Sequence, residues 1–232
     1  MDGAFGAAIG TQLKALAPFG GGTLLDVVLE AIAGAGITDV AVVGDAEVRR
    51  RVDGSVRVIA ADADGSVNIG RALSAWPAGD DLLFATSDLP FARAADLHGF
   101  LAAAAGLDLS LPLADATAYE LAFPGAPPHV TQLGSERVAG GSVFFIGSRA
   151  REPVRAVAGE FFRARKSLVG MARLLGSTLL VRFLTRRLRI ADIERRAERV
   201  LGVRAAAVRA SSPGLCYDVD TLADYRYACE RR

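Results

Sequence analysis

Asp88 stands in Phe84-Ala-Thr-Ser-Asp-Leu-Pro-Phe91, where an apolar run meets Pro90. A carboxylate there suits a divalent cation holding a polyphosphate, because magnesium takes one or two protein carboxylates and fills its octahedron with phosphate oxygens and water. Capping the following turn is the competing role. A second acidic set, Asp218 and Asp220 in Tyr217-Asp-Val-Asp-Thr221, follows another apolar run and could share that cation. For Asp220 the alternative is to cap a helix. Of 27 basic residues only Lys14 and Lys166 are lysines. Arginine replaces lysine freely on solvated surface and poorly where a compact ammonium must reach a phosphate or a reacting group, so both lysines are candidates. Lys14 lies in a glycine-bearing stretch, Gly10 to Thr23, ahead of a helix, where backbone N–H groups and a point charge could meet phosphates. The stretch does not match the G-x-x-x-x-G-K-[ST] phosphate loop. Asp64-Gly-Ser-Val-Asn68 opens another helix, so Gly65, Ser66 and Asn68 either line a nucleotide or cap.

These residues need elements to hold them. Thr23 to Ala35 has apolar residues at helical spacing, opened by Thr23 with Asp26 three residues on and closed by Gly34 and Gly36. Val40 to Val43 is a β-branched run of the kind buried on both faces of a sheet. The alternation continues with strands at Val56 to Ala60 and Leu82 to Ser87 and helices at Ser66 to Trp76 and Ala94 to Ala104. This predicts an α/β fold, a doubly wound, mainly parallel (mixed) sheet flanked by helices, with ligands beyond the carboxyl ends of its strands. After Leu107 shorter extended pieces (Asp108 to Leu113, Val130 to Leu133, Ser142 to Ile146), separated by Pro124 to Pro128 and Gly140-Gly141, suggest an antiparallel or mixed addition. Residues 151 to 201 read as basic helix, Val203 to Arg209 as a strand, and Thr221 to Arg231 as a helix capped by Asp220 or Thr221.

The 232 residues are 51% hydrophobic and 23% charged, enough for a substantial core and unlike a disordered or fibrous chain. The most apolar stretch, Ser167 to Leu184, carries Arg173 and Arg182, and the chain opens without a basic segment followed by an apolar one, which makes the cytoplasm the expected compartment. Cys216 and Cys229, with only His98 and His129 beside them in the sequence, form no metal-ligand spacing and are expected to be structural thiols. The net charge of +1 hides a division: residues 1–136 carry –10 and residues 137–209 carry +12. That asymmetry implies an anionic ligand between the two parts, their mutual docking, or simply solvated arginine-rich helices. Nucleic acid is not expected, because aromatic stacking platforms are not interleaved with the charges.

Lys14-Ala-Leu-x-Pro, Gly-Thr-Leu-Leu-Asp26, Val42-Val43-Gly44, Ser87-Asp88-Leu89-Pro90, Gly140-Gly141-Ser142 and Tyr217-Asp-Val-Asp-Thr221, in that order, resemble the MobA-like NTP transferases, nucleotidyltransferases of the glycosyltransferase-A type. The resemblance implies a Rossmann-like nucleotide-diphospho-sugar transferase fold over a single domain, residues 1–232. Residues 1–106 would be its nucleotide-binding half and 107–232 its acceptor-binding half, the latter including the helical segment 151–201. It implies transfer of a nucleoside monophosphate from an NTP to a phosphorylated small molecule with release of pyrophosphate. Mg2+ would be held at Asp88 with Asp218 or Asp220. Lys14 would lie on phosphates, Asp64 to Asn68 near the nucleotide, and Gly140, Gly141 and Ser142 toward the acceptor. Lys166, in Arg163-Ala-Arg-Lys-Ser167, is expected to contact acceptor phosphate or pyrophosphate, and the 151–201 segment to cover the sheet, cradle a polyanion or rest peripherally on a membrane. The family's opening strand and Leu-Ala-Gly-Gly loop are replaced here by MDGAFGAAIGTQLK. A chain incomplete at its N-terminus is one expectation and a degenerate, non-catalytic nucleotide-binding module another; either leaves two strand edges exposed between Val40 and Leu82. A glycosyltransferase-A-type sugar transferase is the remaining alternative.

Overall fold

The computed structural model describes residues 3–164 and 176–231. Helix α1 (Gly3–Ile9) and a 3-10 turn at Lys14–Leu16 lead into a short hairpin, β1 (Pro18–Phe19) and β2 (Gly22–Thr23). Gly20 and Gly21 make its turn at φ 56° and 88°, left-handed backbone that costs an L side chain about 1–2 kcal/mol. Thr23 then caps α2 (Leu24–Gly34): its hydroxyl accepts from the Asp26 N–H at 3.3 Å, and Asp26 accepts from the Thr23 N–H at 2.7 Å. The predicted alternation follows as β3 (Ala41–Gly44), β4 (Arg57–Ala60), α4 (Gly65–Leu73), β5 (Leu82–Ala85) and α5 (Ala94–Ala103), with a further short helix, α3 (Ala46–Arg51), between β3 and β4 that the sequence pattern did not predict. Next come β6 (Leu109–Asp115), α6 (Ala116–Ala122), β7 (Val130–Leu133), β8 (Glu136–Gly140) and β9 (Val143–Ile146). The chain closes with α7 (Ser148–Ala164), α8 (Ser177–Leu184), α9 (Ile190–Leu201), β10 (Ala205–Val208) and α10 (Leu222–Glu230).

The central sheet is mixed and flanked by helices. Its order is β5-β9-β6-β8-β7, with β10 added to β6. Strand β9 runs antiparallel to both β5 and β6, β8 antiparallel to β6 and β7, and β10 parallel to β6. Strands β5, β6, β7 and β10 therefore point one way, and β8 and β9 the other. The parallel pair β3–β4 forms a separate ribbon. Among the described residues β3 pairs only with β4 and β5 only with β9, so each keeps an open edge. A cleft of about 1120 Å³, lined by Val40 to Val43, Leu82 to Asp88 and the α2 side chains Leu25, Val28 and Ile32, lies between them.

Apolar packing fixes the segments that carry the acidic residues. Leu89, just past Asp88, is 1% exposed and packs with Val28, Ile32, Leu97, Val143 and Leu215. Tyr217 and Val219, on either side of Asp218, are fully buried with Phe19, Leu24, Tyr119 and Phe123. Alternate burial leaves Asp218 and Asp220 to face away from that core. Much of the basic third is engaged internally. Arg151, 5% exposed, donates to the carbonyls of Leu73 (2.5 Å), Trp76 (2.7 Å) and Pro77, closing the end of α4. Arg204 pairs with Asp108 at 3.7 Å and Arg209 with Glu136. These contacts favour mutual docking and sheet cover over a free polyanion cradle. No helix among the described residues is long and apolar enough to cross a membrane.

Candidate functional site

Past the end of β5 the Thr86 N–H donates to the Ser142 carbonyl at 3.1 Å, which carries Asp88 beyond the sheet edge. The Asp88 carbonyl accepts from the Val219 N–H at 3.0 Å, bringing the 217–221 loop alongside. Asp88, Asp218 and Asp220, far apart in sequence, thereby offer carboxylate oxygens within 4.8 Å of one another. Lys14 stands among them, its Nζ paired with Asp88 and 3.4 Å from Asp220. Asp88 is 7% exposed, and its buried Oδ1 has no hydrogen-bond partner.

A divalent cation fits this donor set. Opposite oxygens of an octahedral magnesium site are about 4.2 Å apart, close to the spread of the carboxylates, and hard oxygen donors are what such an ion takes. The orphaned Asp88 Oδ1 and the ammonium drawn among the acids both mark a place built for positive charge. Burial lowers the Lys14 pKa, but the charges and hydrogen bonds of Asp88 and Asp220 outweigh it and leave it raised, so the group stays an ammonium. Burial likewise pushes the Asp218 carboxyl up, and the His129 hydrogen bond, with the charges of His129 and Lys14, brings it below its usual range.

The capping alternatives resolve differently for the two ends. Among the described residues no backbone N–H donates to the Asp88 carboxylate, and α10 is capped by Thr221, whose hydroxyl accepts from the Asp224 N–H at 3.3 Å; Asp220 is not the cap and is left to face Lys14. Asp64 does cap α4, its carboxylate accepting from the Ser66 N–H at 2.8 Å and the Ser66 hydroxyl at 2.7 Å. Gly65 and Ser66 form the first turn of that helix. Asn68 accepts from the Asp62 N–H at 2.6 Å and lines the cleft that Lys14, Ser87 and Asp88 also line. Of the glycine-serine motif, Ser142 donates to Asp218 at 3.2 Å, whereas Gly140 is the exposed end of β8. Gly141 is a packing glycine: a Cβ there would lie 2.5 Å from the Leu215 carbonyl oxygen. Lys166 lies outside the described residues. A second cavity of about 820 Å³, between Gly20–Gly22 and Arg51–Val56, holds none of Lys14, Asp88, Asp218 or Asp220.

Sequence reasoning passed over His129 and Asp224. His129 Nδ1 is 3.5 Å from Asp218 and Nε2 is 3.2 Å from Asp224, and the Asp218 hydrogen bond is the main cause that raises its pKa against the pull of burial. The rarity of histidine and the Thr221-x-x-Asp224 capping spacing were the only signals available. The cysteines are free: Cys229 is exposed, and Cys216 is buried, its thiol pushed up to about 12 by desolvation.

Comparison with known proteins agrees with this architecture. A hypothetical transferase from Thermus thermophilus is 27% identical and superposes with a TM-score of 0.82 over 97% of this chain and 95% of its own. At lower identity only the fold is shared. A nucleotidyl transferase from Methanothermobacter has 20% identity and a TM-score of 0.58, covering 98% of this chain and 89% of its own. A 2-C-methyl-D-erythritol 4-phosphate cytidylyltransferase from Thermus thermophilus has 16% and 0.55, covering 94% and 93%. No curated protein matches the chain. The MobA-like NTP transferase domain model matches residues 5–178, three quarters of the sequence, and the chain belongs to that family of nucleotidyltransferases.

Proposed function

We propose that the protein transfers a nucleoside monophosphate from an NTP to a phosphorylated small molecule, with Mg2+ as its cation. The observation that carries this reading is the Asp88–Asp218–Asp220 set with Lys14 drawn into it at the end of β5. When bound, the cation neutralises charge on the triphosphate. Asp88, with Asp218 and Asp220, would hold it, and Lys14 would turn from the carboxylates to a phosphate oxygen as they take the cation. An acceptor phosphate oxygen forms the new bond to the α-phosphorus, the bond to the bridging oxygen breaks, and pyrophosphate leaves with the electron pair. The acceptor is already ionised, so the chain needs charge stabilisation and alignment more than a general base.

Residues 1–106 would hold the nucleotide, through Asn68 on the cleft wall and the adjoining Asp64, Gly65 and Ser66 at the start of α4, and residues 107–232 the acceptor, through Gly140, Gly141 and Ser142, of which Ser142 bonds Asp218. Lys166 is assigned to an acceptor or pyrophosphate phosphate. The test is pyrophosphate release with Mg2+, each of ATP, GTP, CTP, UTP and dTTP, and a panel of sugar and polyol phosphates. Acceptor-dependent release, lost in Asp88→Asn, is expected. The open β3 and β5 edges favour one second reading, a nucleotide-binding module without turnover. Tight binding of one nucleotide with no pyrophosphate from any acceptor would decide for it.

A further inference from the structure

The carboxylates that face Lys14 are braced from behind. His129, in the segment entering β7, bridges Asp218 through Nδ1 (3.5 Å) and Asp224 through Nε2 (3.2 Å). Its side chain is 11% exposed and its ring lies 4.8 Å from that of Tyr217. Asp224, 3% exposed, is itself fully tied down: Oδ1 meets His129, and Oδ2 accepts from the Asp220 N–H (3.1 Å), the Thr221 N–H (2.7 Å) and the Thr221 hydroxyl (2.8 Å). One buried residue therefore fastens both the imidazole and the loop that carries Asp218 and Asp220. Among the described residues the Ser142 hydroxyl also donates to Asp218, at 3.2 Å.

We propose that His129 is a positioning residue for the cation site, holding the Asp218 carboxylate toward the space it shares with Asp88 and Asp220. The inference rests on reading that space as a cation site. A carboxylate free to turn about its side-chain torsions must be ordered when it takes a cation, whereas one gripped by a ring anchored at its far end is ordered beforehand. Partners of this kind typically alter metal affinity by about 10–100-fold.

The test is a titration of the whole protein with Mn2+ alone, free ion being read by electron paramagnetic resonance. His129→Leu, which removes both bonds, should weaken Mn2+ binding by about 10-fold or more. His129→Gln, whose longer amide keeps the Asp224 side, should weaken it comparably and carries the test if the leucine variant does not fold. His129→Asn, whose amide lies near the Nδ1 position, should recover most of the affinity. Phe123→Leu thins the same aromatic cluster, touching Tyr119 and Tyr217, and should lower the melting temperature while leaving Mn2+ affinity unchanged. Histidine variants within two-fold of wild type, or a loss matched by Phe123→Leu, would overturn the positioning role while Asp88→Asn still marked the cation site. Wild-type protein that takes up no Mn2+ would overturn the cation site and the inference with it.

Discussion

A single substitution separates the two roles proposed for Lys14. Without a cation its ammonium neutralises Asp88, which is 7% exposed, so Lys14→Ala should destabilise the protein by about 1–3 kcal/mol, the cost of leaving a buried charged acceptor unpaired. With saturating Mg2+ the same variant should gain more thermal stability than wild type, since nothing competes with the cation, and yet lose about 10²-fold or more of pyrophosphate release. Equal Mg2+ shifts in the two proteins would show that ammonium and cation occupy different places. Gly141 makes the complementary case. An alanine there meets the Leu215 carbonyl oxygen at 2.5 Å and the Pro112 ring at 2.4 Å, and a backbone carbonyl cannot swing aside as a side-chain tip can. Gly141→Ala should cost about 1–3 kcal/mol, read as a lower midpoint in urea with unchanged slope.

Helices α8 and α9 are joined through one acid. Asp192, 5% exposed, lies 2.6 Å from Arg182 on α8 and 2.5 Å from Arg195 on its own helix, and accepts from the Arg189 N–H at 3.2 Å. The Arg182 guanidinium, with Arg195 and that N–H, outweighs desolvation and holds the carboxyl down to about 2. A carboxyl depressed on folding contributes stability above its unfolded value, near 4, and loses it as pH falls through the folded value. Wild-type melting temperature should therefore drop between pH 4 and 2 more steeply than that of Asp192→Asn, which should already be lower at pH 7; parallel curves would show the helices are held otherwise. The sheet makes its own prediction. Strand β6 is paired on both edges and β5 on one. Amide hydrogen exchange should be slower in β6 than in β3 or β5, because an open edge exchanges without global unfolding. Equal protection would mean the β3 and β5 edges are covered in solution.

For the whole molecule, ligand binding and stability are linked. An NTP present with Mg2+ at 100 times its dissociation constant adds about 2.7 kcal/mol, which in a domain of this size raises the melting temperature by roughly 5–10 °C. A shift with one base and not the others would name the nucleotide, and no shift with any would count against an intact nucleotide pocket. The charge division takes on a physical meaning at this level. Arg204 and Arg209, flanking β10 in the basic part, meet Asp108, just before β6, and Glu136, the first residue of β8, from the acidic part.

Alternating helix and strand patterns, the Thr23–Asp26 capping box and the order of the motifs were enough to predict the α/β class and the family, because periodicity and local hydrogen bonding act over a few residues. The sequence by itself also marked Asp88, Asp218, Asp220 and Lys14, whose types are scarce or costly where they stand. What only the tertiary structure decided is how they meet. The Asp88 carbonyl pairs with the Val219 N–H across 131 positions of chain, and His129 closes on Asp218 and Asp224 across about 90. Contacts at such separations follow from sheet register and core packing, which no local window encodes. For the same reason the cap that Asp64 makes on α4 was one of two roles its sequence allowed, and it is seen only where the backbone places the Ser66 N–H on its carboxylate.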